Sequence, residues 1–216
     1  MTARDTLDAA KAETRAIYER HALAWDRHRS RDLYEAPWLE RVAASLPKAA
    51  RVLDLGCGAG APVSAWFLDR GYRVTGVDYA APMIDLARKN FPQGDWIVGD
   101  MRALDLTDRY DAVISWDGFF HLSQEEQRSF LDRLPGLLMP KAVLLLTVGY
   151  GDGEVTGTVQ GETVYHASLS PDEYRQRLEE TGFTDITYVP NDPETRGRSV
   201  LLARRSNCRS PVTEVG

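Results

Sequence analysis

The sequence predicts an α/β fold, a mostly parallel sheet with helices on both faces. Three observations carry this. From residue 51 onward, short apolar runs alternate with helix-patterned stretches. The first run ends directly in a glycine-spaced loop, "VLDLGCGAGA", that leads into a helix. The last two strand-like runs have no helix between them, so they pair as a hairpin and one strand becomes antiparallel.

The elements follow in order. Over residues 6–28, Leu7, Ala10, Ile17, Tyr18 and Trp25 fall near one helical face. Residues 34–46 predict a second helix with Trp38, Leu39, Val42 and Leu46 on its apolar side, stopped by Pro47. Arg51–Leu55 is a strand. Ala61–Arg70 is a helix, with Pro62 near its start and Gly71 after its end. Tyr72–Val77 is a strand, Pro82–Lys89 a helix and Trp96–Val98 a short strand. Tyr110–Trp116 is a strand. Ser123 and Glu126 form a capping box that starts a helix running to about Leu134. Val143–Val148 is a buried strand. Ser170, Pro171 and Glu173 start a helix that ends before Gly182. Thr184–Val189 and Ser199–Ala203 close the sheet.

These elements divide the chain into a helical cap at 1–48, an α/β core at 49–205 and a flexible tail at 206–216. The glycine-rich stretch 149–167 interrupts the core. The 216 residues carry a net charge of −6, which argues against nucleic acid as the main partner. Residues 1–15 lack the apolar core of a signal peptide, and no run is long enough to cross a bilayer. A cytoplasmic protein without a membrane partner is expected. The two cysteines, Cys57 and Cys208, show no ligand spacing, so no metal is expected.

The glycine loop explains where a ligand sits. In open α/β sheets ligands bind beyond the carboxyl ends of the strands. Gly56, Gly58 and Gly60 let backbone N–H groups approach a ligand at a helix N-terminus. Asp78 ends the second strand, where an acid can accept from ribose hydroxyls. Gly56-x-Gly58-x-x-Ala61 also satisfies a loose dinucleotide pattern, so a nicotinamide enzyme stays open on the loop alone. Against it, Asp54 just before the glycines suits a ligand ammonium and repels a pyrophosphate. Asp100 and Met101 after the third strand offer an acceptor for an adenine amino group and an apolar side chain for its ring face.

"VLDLGCGAG", "VTGVDYAAPMIDLAR", "GDMRALDL" and "YDAVISWDGFFHL" resemble, in order, the successive motifs of class I S-adenosylmethionine-dependent methyltransferases. The resemblance covers about residues 50–205. It implies a Rossmann-like seven-stranded sheet, order 3-2-1-4-5-7-6, with the last strand antiparallel. It implies S-adenosyl-L-methionine as cofactor and S-adenosyl-L-homocysteine as product. By position, Asp54 and Gly56 would face the methionine end, with Cys57 and Gly58 against the ligand. Asp78 would hold the ribose, Tyr79 and Met83 would flank the adenine, Asp100 and Met101 would contact its edge and face, and Trp116 would cover the cofactor.

The acceptor side is read from residues 116–121, where this family performs its chemistry. An Asn/Asp-Pro-Pro-Tyr stretch and an acidic metal cluster are both missing there, which favours a small organic acceptor. His121 is the candidate general base, against a second reading in which it only shapes the pocket or satisfies a backbone carbonyl, and Asp117 would orient it or bind a cationic substrate. Phe119 and Phe120 would form aromatic walls. Tyr165 and His166 would return to the pocket rim from the 149–167 insertion, and Tyr18 and Trp25 would reach it from the cap. Arg29 and Arg31 could hold a carboxylate, against a default reading as a solvated face. The expected activity is methyl transfer to an oxygen, nitrogen or carbon of a small metabolite, by a monomer or homodimer. A nicotinamide-dependent oxidoreductase and a non-catalytic S-adenosylmethionine-binding subunit are the alternatives.

Overall fold

A computed structural model describes residues 2–207; Cys208 and most of the expected tail lie outside the described residues. Helix α1 (Ala3–His28) is started by a capping box, in which Thr2 Oγ1 accepts from the Asp5 N–H and Asp5 accepts from the Thr2 N–H. Helix α2 (Ala36–Ala43) is shorter than the pattern 34–46 suggested. Then come β1 (Arg51–Leu55), α3 (Val63–Leu68), β2 (Arg73–Asp78), α4 (Ala81–Asn90), β3 (Asp95–Val98) and β4 (Tyr110–Ser115). Helix α5 (Gln124–Leu137) has the expected Ser123–Glu126 capping box and runs past Pro135 to meet β5 (Leu138–Val148). Two strands, β6 (Gly153–Val159) and β7 (Glu162–Ser168), form the insertion. Helix α6 (Pro171–Glu180), β8 (Phe183–Asp192) and β9 (Arg198–Arg205) complete the order. Ser170 caps α6 by accepting from the Glu173 N–H. The Glu173 carboxylate, expected to complete the cap, instead holds Arg128 and Arg177.

The main sheet has seven strands in the order β3-β2-β1-β4-β5-β9-β8. With the β6–β7 hairpin set aside as an insertion, this is the expected order, and β9 runs antiparallel to both β5 and β8. The hairpin forms a separate two-stranded sheet. Strand alternation divides the core into two layers. Leu53 and Leu55 of β1 pack with Phe130, Leu131 and Leu134 of α5 on one face. Val52 packs with Trp38 and Leu39 of α2 and Trp66 and Phe67 of α3 on the other. Asp54 shares the Val52 side by the same period of two. That brings its carboxylate, 3% exposed, to Ser64 of α3, which donates to it at 2.6 Å.

Helix α1 does not join the sheet. Ile17 packs on Val159 and Val164 of the hairpin, and Ala10 on Tyr165 and Ala167. Thr14 Oγ1 accepts the Tyr165 N–H at 2.9 Å, and Arg20 and His21 both reach Glu162. The insertion is thus a platform for α1, and the two meet above the carboxyl ends of β1, β2 and β4. Among the described residues, no helix is long and apolar enough to cross a membrane.

Candidate active site

A cavity, open to solvent on one side, lies at those strand ends. Its near wall is the glycine loop. Gly58 and Gly60 both have positive φ, at +54° and +82°, but a side chain would meet different things at the two. At Gly60 a Cβ would stand 2.8 Å from the Trp96 ring and 3.0 Å from Phe91, so this glycine serves packing beneath the loop. At Gly58 the nearest atom is Met83 Sδ at 4.0 Å, so the space there is left open towards the cavity. The Gly58 N–H donates to Asp78 Oδ2 at 2.9 Å, and the Ala80 N–H donates to Oδ1 at 2.8 Å. Asp78 therefore braces the loop as well as facing the cavity.

Two carboxyls are buried at this wall, and among the described residues neither forms an ion pair. Burial pushes Asp54 up to about 7, opposed by the Ser64 hydrogen bond and assisted by the Asp78 charge. Burial pushes Asp78 up to about 6, opposed by the two backbone N–H donors. Tyr79, Met83 and Met101 line the same wall. Cys57 lines it too, with its thiol raised by burial and packed beside Ile84, Ala87 and Trp96. Trp116 lines the cavity, and its indole N–H is buried without a partner among the described residues.

Asp100 departs from expectation. Its carboxylate is taken by Arg102, through the backbone N–H at 2.9 Å and Nε at 2.8 Å, and it stands outside the cavity lining. The reason is local: Asp100 caps a short helical turn at Met101–Ala103 and folds back on it. Met101, one residue on, does reach the cavity.

The far wall brings together Tyr18, Trp25, Asp26 and Arg29 of α1 and its end with Asp117, Gly118 and His121. Tyr18 and Trp25 meet edge to face at 5.5 Å, as their seven-residue spacing allows. The Tyr18 hydroxyl is 2.9 Å from His121 Nε2. His121 Nδ1 is 2.9 Å from the Tyr165 carbonyl oxygen, which can only accept. So Nδ1 carries the proton, Nε2 carries the lone pair, and the Tyr18 hydroxyl donates to it. Burial and the neighbouring His166 hold His121 down at about 4, so the ring is neutral at physiological pH. Burial, with the charges of Asp117 and Asp78, raises Tyr18 well above an ordinary phenol.

Asp117 does not orient His121. Its backbone turns left-handed at φ 56°, and Arg198 of β9 grips its carboxylate at 2.8 and 2.9 Å. Arg29 approaches at 3.6 Å while also holding Glu35 and the Tyr34 hydroxyl. The turn brings the side chain to Arg198 of β9, and among the described residues no hydrogen bond joins it to the imidazole. Phe119 also departs: it is fully buried against Phe130 and lies outside the cavity lining. Phe120 and His166 lie behind His121, their ring centres 4.8 and 4.9 Å from it. Tyr165 contributes its carbonyl, while its hydroxyl goes to Glu154. Arg31 pairs with Asp26 at the surface.

Ser64, Asp26, Glu35 and Arg198 escaped the sequence reading. Ser64 had a usable signal, one helical turn after the glycine loop. Arg198 had none, since only the sheet order brings β9 near the 116–121 turn.

A family model described as a methyltransferase domain matches residues 52–141. The dTDP-3-amino-3,6-dideoxy-alpha-D-glucopyranose N,N-dimethyltransferase of Streptomyces fradiae is 32% identical over 140 residues, 59% of this chain and 53% of that protein. The ribosomal RNA small subunit methyltransferase C of Alcanivorax borkumensis is 33% identical over 110 residues, 47% of this chain and 33% of that protein. The chain spans about half or less of the length of the curated relatives it matches. A solved structure of an amino pentose methyltransferase from Micromonospora echinaspora, with S-adenosylmethionine bound, shares the fold. Its TM-score is 0.68 at 24% identity, covering 87% of this chain and 96% of that one.

Proposed function

We propose that this chain, which belongs to the class I S-adenosylmethionine-dependent methyltransferases, moves a methyl group from S-adenosylmethionine to an oxygen, nitrogen or carbon of a small organic acceptor. The observation that carries the reading is the cavity's two-sided chemistry. Two buried carboxyls and an open glycine loop stand on one side, and a wall carrying Tyr18, Trp25 and His121 stands on the other.

The near wall fits the cofactor. Asp54 would hold the ammonium of the methionine end, and its return to the ionised form there relieves an otherwise unpaired buried group. Asp78 would accept from the ribose, while Tyr79, Met83 and Met101 would pack the adenine. The unspent Trp116 indole N–H and the Arg29 guanidinium are donors for a carboxylate. S-adenosylmethionine, when bound, supplies an electrophilic methyl on a sulfonium sulfur. The chain's own contribution is alignment and exclusion of water: α1, seated on the hairpin, covers one side of the cavity, and Tyr18, Trp25 and His121 position the acceptor.

A small acceptor is favoured over a polymer because α1 covers one side of the cavity and the net charge of −6 repels nucleic acid. The ribosomal RNA relative, matched over a third of its length, carries less weight than the amino-sugar relative, matched over half. The N,N-dimethyltransferase name of the latter supports trying nitrogen first of the three acceptor atoms. Calorimetric titration with S-adenosylhomocysteine and NADH tests the reading. Binding of S-adenosylhomocysteine and a matching rise in Tm are expected. Binding of NADH alone would restore the oxidoreductase.

A further inference from the structure

We propose that the acceptor atom is the nitrogen of a neutral amine, held by the Tyr18 oxygen, with His121 as the residue that orients Tyr18 rather than as a base. This rests on the methyltransferase reading and names the substrate class of the same site.

The geometry leaves each proton one place. The Tyr165 carbonyl fixes the proton of His121 on Nδ1, because two lone pairs 2.9 Å apart would repel. Nε2 is then an acceptor, and the Tyr18 hydroxyl, 2.9 Å away, is its donor. The Tyr18 and His121 rings cross at 70° with centres 5.2 Å apart, packed by Trp25 and Tyr79 on the tyrosine side and by Phe120 and His166 on the histidine side. Neither group is free to turn. With its proton spent on His121, Tyr18 presents only oxygen lone pairs to the cavity.

That arrangement selects among acceptors. A hydroxyl or carbon acceptor must lose a proton to become nucleophilic, and the lone pair that would take it is occupied. Moving the proton through Tyr18 would require a phenolate or an imidazolium. The groups facing the pair are Asp117 and Asp78 towards Tyr18, and His166 and Asp117 towards His121. Burial, Asp117 and Asp78 raise the phenol, while burial and His166 lower the imidazole against the opposing pull of the Tyr165 carbonyl and Asp117, so both ionised forms are disfavoured. A carboxylate acceptor would bring its negative oxygen against the Tyr18 lone pairs. A neutral amine fits, because it already owns the attacking pair and its N–H donates to Tyr18. The amine lone pair becomes the N–CH3 bond, and the electrons of the broken S–CH3 bond stay on sulfur as the thioether of S-adenosylhomocysteine. The nitrogen leaves as an ammonium with its proton, which it gives to water.

The test is product analysis by mass spectrometry over matched sets of amines, alcohols and carboxylic acids on sugar, aromatic and aliphatic frameworks. The pH profile of kcat/KM is then measured for those methylated. Methylation of amines is expected, with a rate that rises with pH and levels at each amine's own pKa, so that the limb shifts when the amine is changed. Tyr18→Phe should lower kcat/KM about tenfold with S-adenosylhomocysteine affinity unchanged. His121→Gln, whose side chain can still accept from Tyr18, should keep the acceptor-dependent limb. The proposal is overturned if none of the amines is methylated, if only hydroxyl, carboxyl or carbon acceptors are, or if all acceptors share one limb that His121→Gln removes. S-adenosylhomocysteine binding by calorimetry separates these results from failure of the methyltransferase reading.

Discussion

The near wall of the cavity comes from the ends of β1 and β2 and the 56–60 loop between β1 and α3. The far wall comes from α1, the 116–121 turn and a β7 carbonyl. On the near wall the contacts close over short sequence distances: Ser64 to Asp54, Gly58 to Asp78, Ala80 to Asp78. On the far wall Tyr18 meets His121 across 103 residues, and Arg198 meets Asp117 across 81. The near wall is therefore fixed by the sheet itself, with buried carboxyls and backbone. The far wall depends on how α1 docks to the hairpin. We expect perturbations of the near wall to act on cofactor affinity and on folding together, and perturbations of the far wall to act on turnover.

The largest effect is expected from Asp78→Ala. The substitution removes the proposed ribose acceptor and leaves the Gly58 and Ala80 N–H groups without their partner. S-adenosylhomocysteine affinity should fall about a hundredfold or more, and stability by about 1–3 kcal/mol. Calorimetry and chemical denaturation measure the two. A stable variant with parental affinity would break the assignment of Asp78 to both tasks.

Acidity should act next. Asp54 and Asp78 sit at about 7 and about 6 in the ligand-free protein, against an ordinary carboxyl near 3.8. Their folded values are raised, so their contribution to stability is full below about pH 4 and is lost as pH rises through about 6–7. A bound cation at Asp54 reverses this by favouring the ionised form. Cofactor affinity should therefore rise from pH 5 to pH 8, by up to about tenfold per unit where one carboxyl titrates. S-adenosylmethionine titrations in buffers of different ionisation heat should show proton release at pH 6 and almost none above pH 8. No proton exchange at pH 6 would mean that these carboxyls are already ionised.

The same division explains what could be read in advance. The strand order is what the resemblance to the methyltransferases implied, whereas the final hairpin, the caps at Ser123 and Ser170 and the loop at 56–60 are local patterns, written in periodicity and turn residues. The near-wall residues follow from them, because a strand's last residue is at the sheet's carboxyl edge by construction. Asp100 shows the limit: one neighbouring arginine, Arg102, suffices to turn a carboxylate away from the cavity. On the far wall, sequence could nominate His121 and Tyr18 separately but not their bond. It placed Asp117 beside His121 by adjacency, whereas a left-handed turn sends that side chain to Arg198. Phe119 and Phe120 are adjacent aromatics, and the helical turn at Phe119–His121 sends Phe119 into the core.

The smallest effect on the cofactor is expected from Thr14→Val, which tests whether the far wall is separable. Thr14 is 6% exposed, and its hydroxyl accepts the Tyr165 N–H while donating to the Ala10 carbonyl. Valine keeps the shape and loses both bonds. Leaving the buried Tyr165 N–H unpaired should cost about 1–3 kcal/mol of stability. Nothing in this change touches Asp54, Asp78 or the glycine loop, so S-adenosylhomocysteine affinity should stay within about twofold, a shift smaller than one ordinary hydrogen bond. Turnover should fall by more than that, because the Tyr165 carbonyl sets the His121 proton and, through it, the direction in which Tyr18 points. Loss of cofactor affinity in parallel with turnover would show that α1 and the sheet form one cooperative wall. Affinity that holds while turnover drops would establish that the chain binds its cofactor with the sheet and chooses its acceptor with the cap.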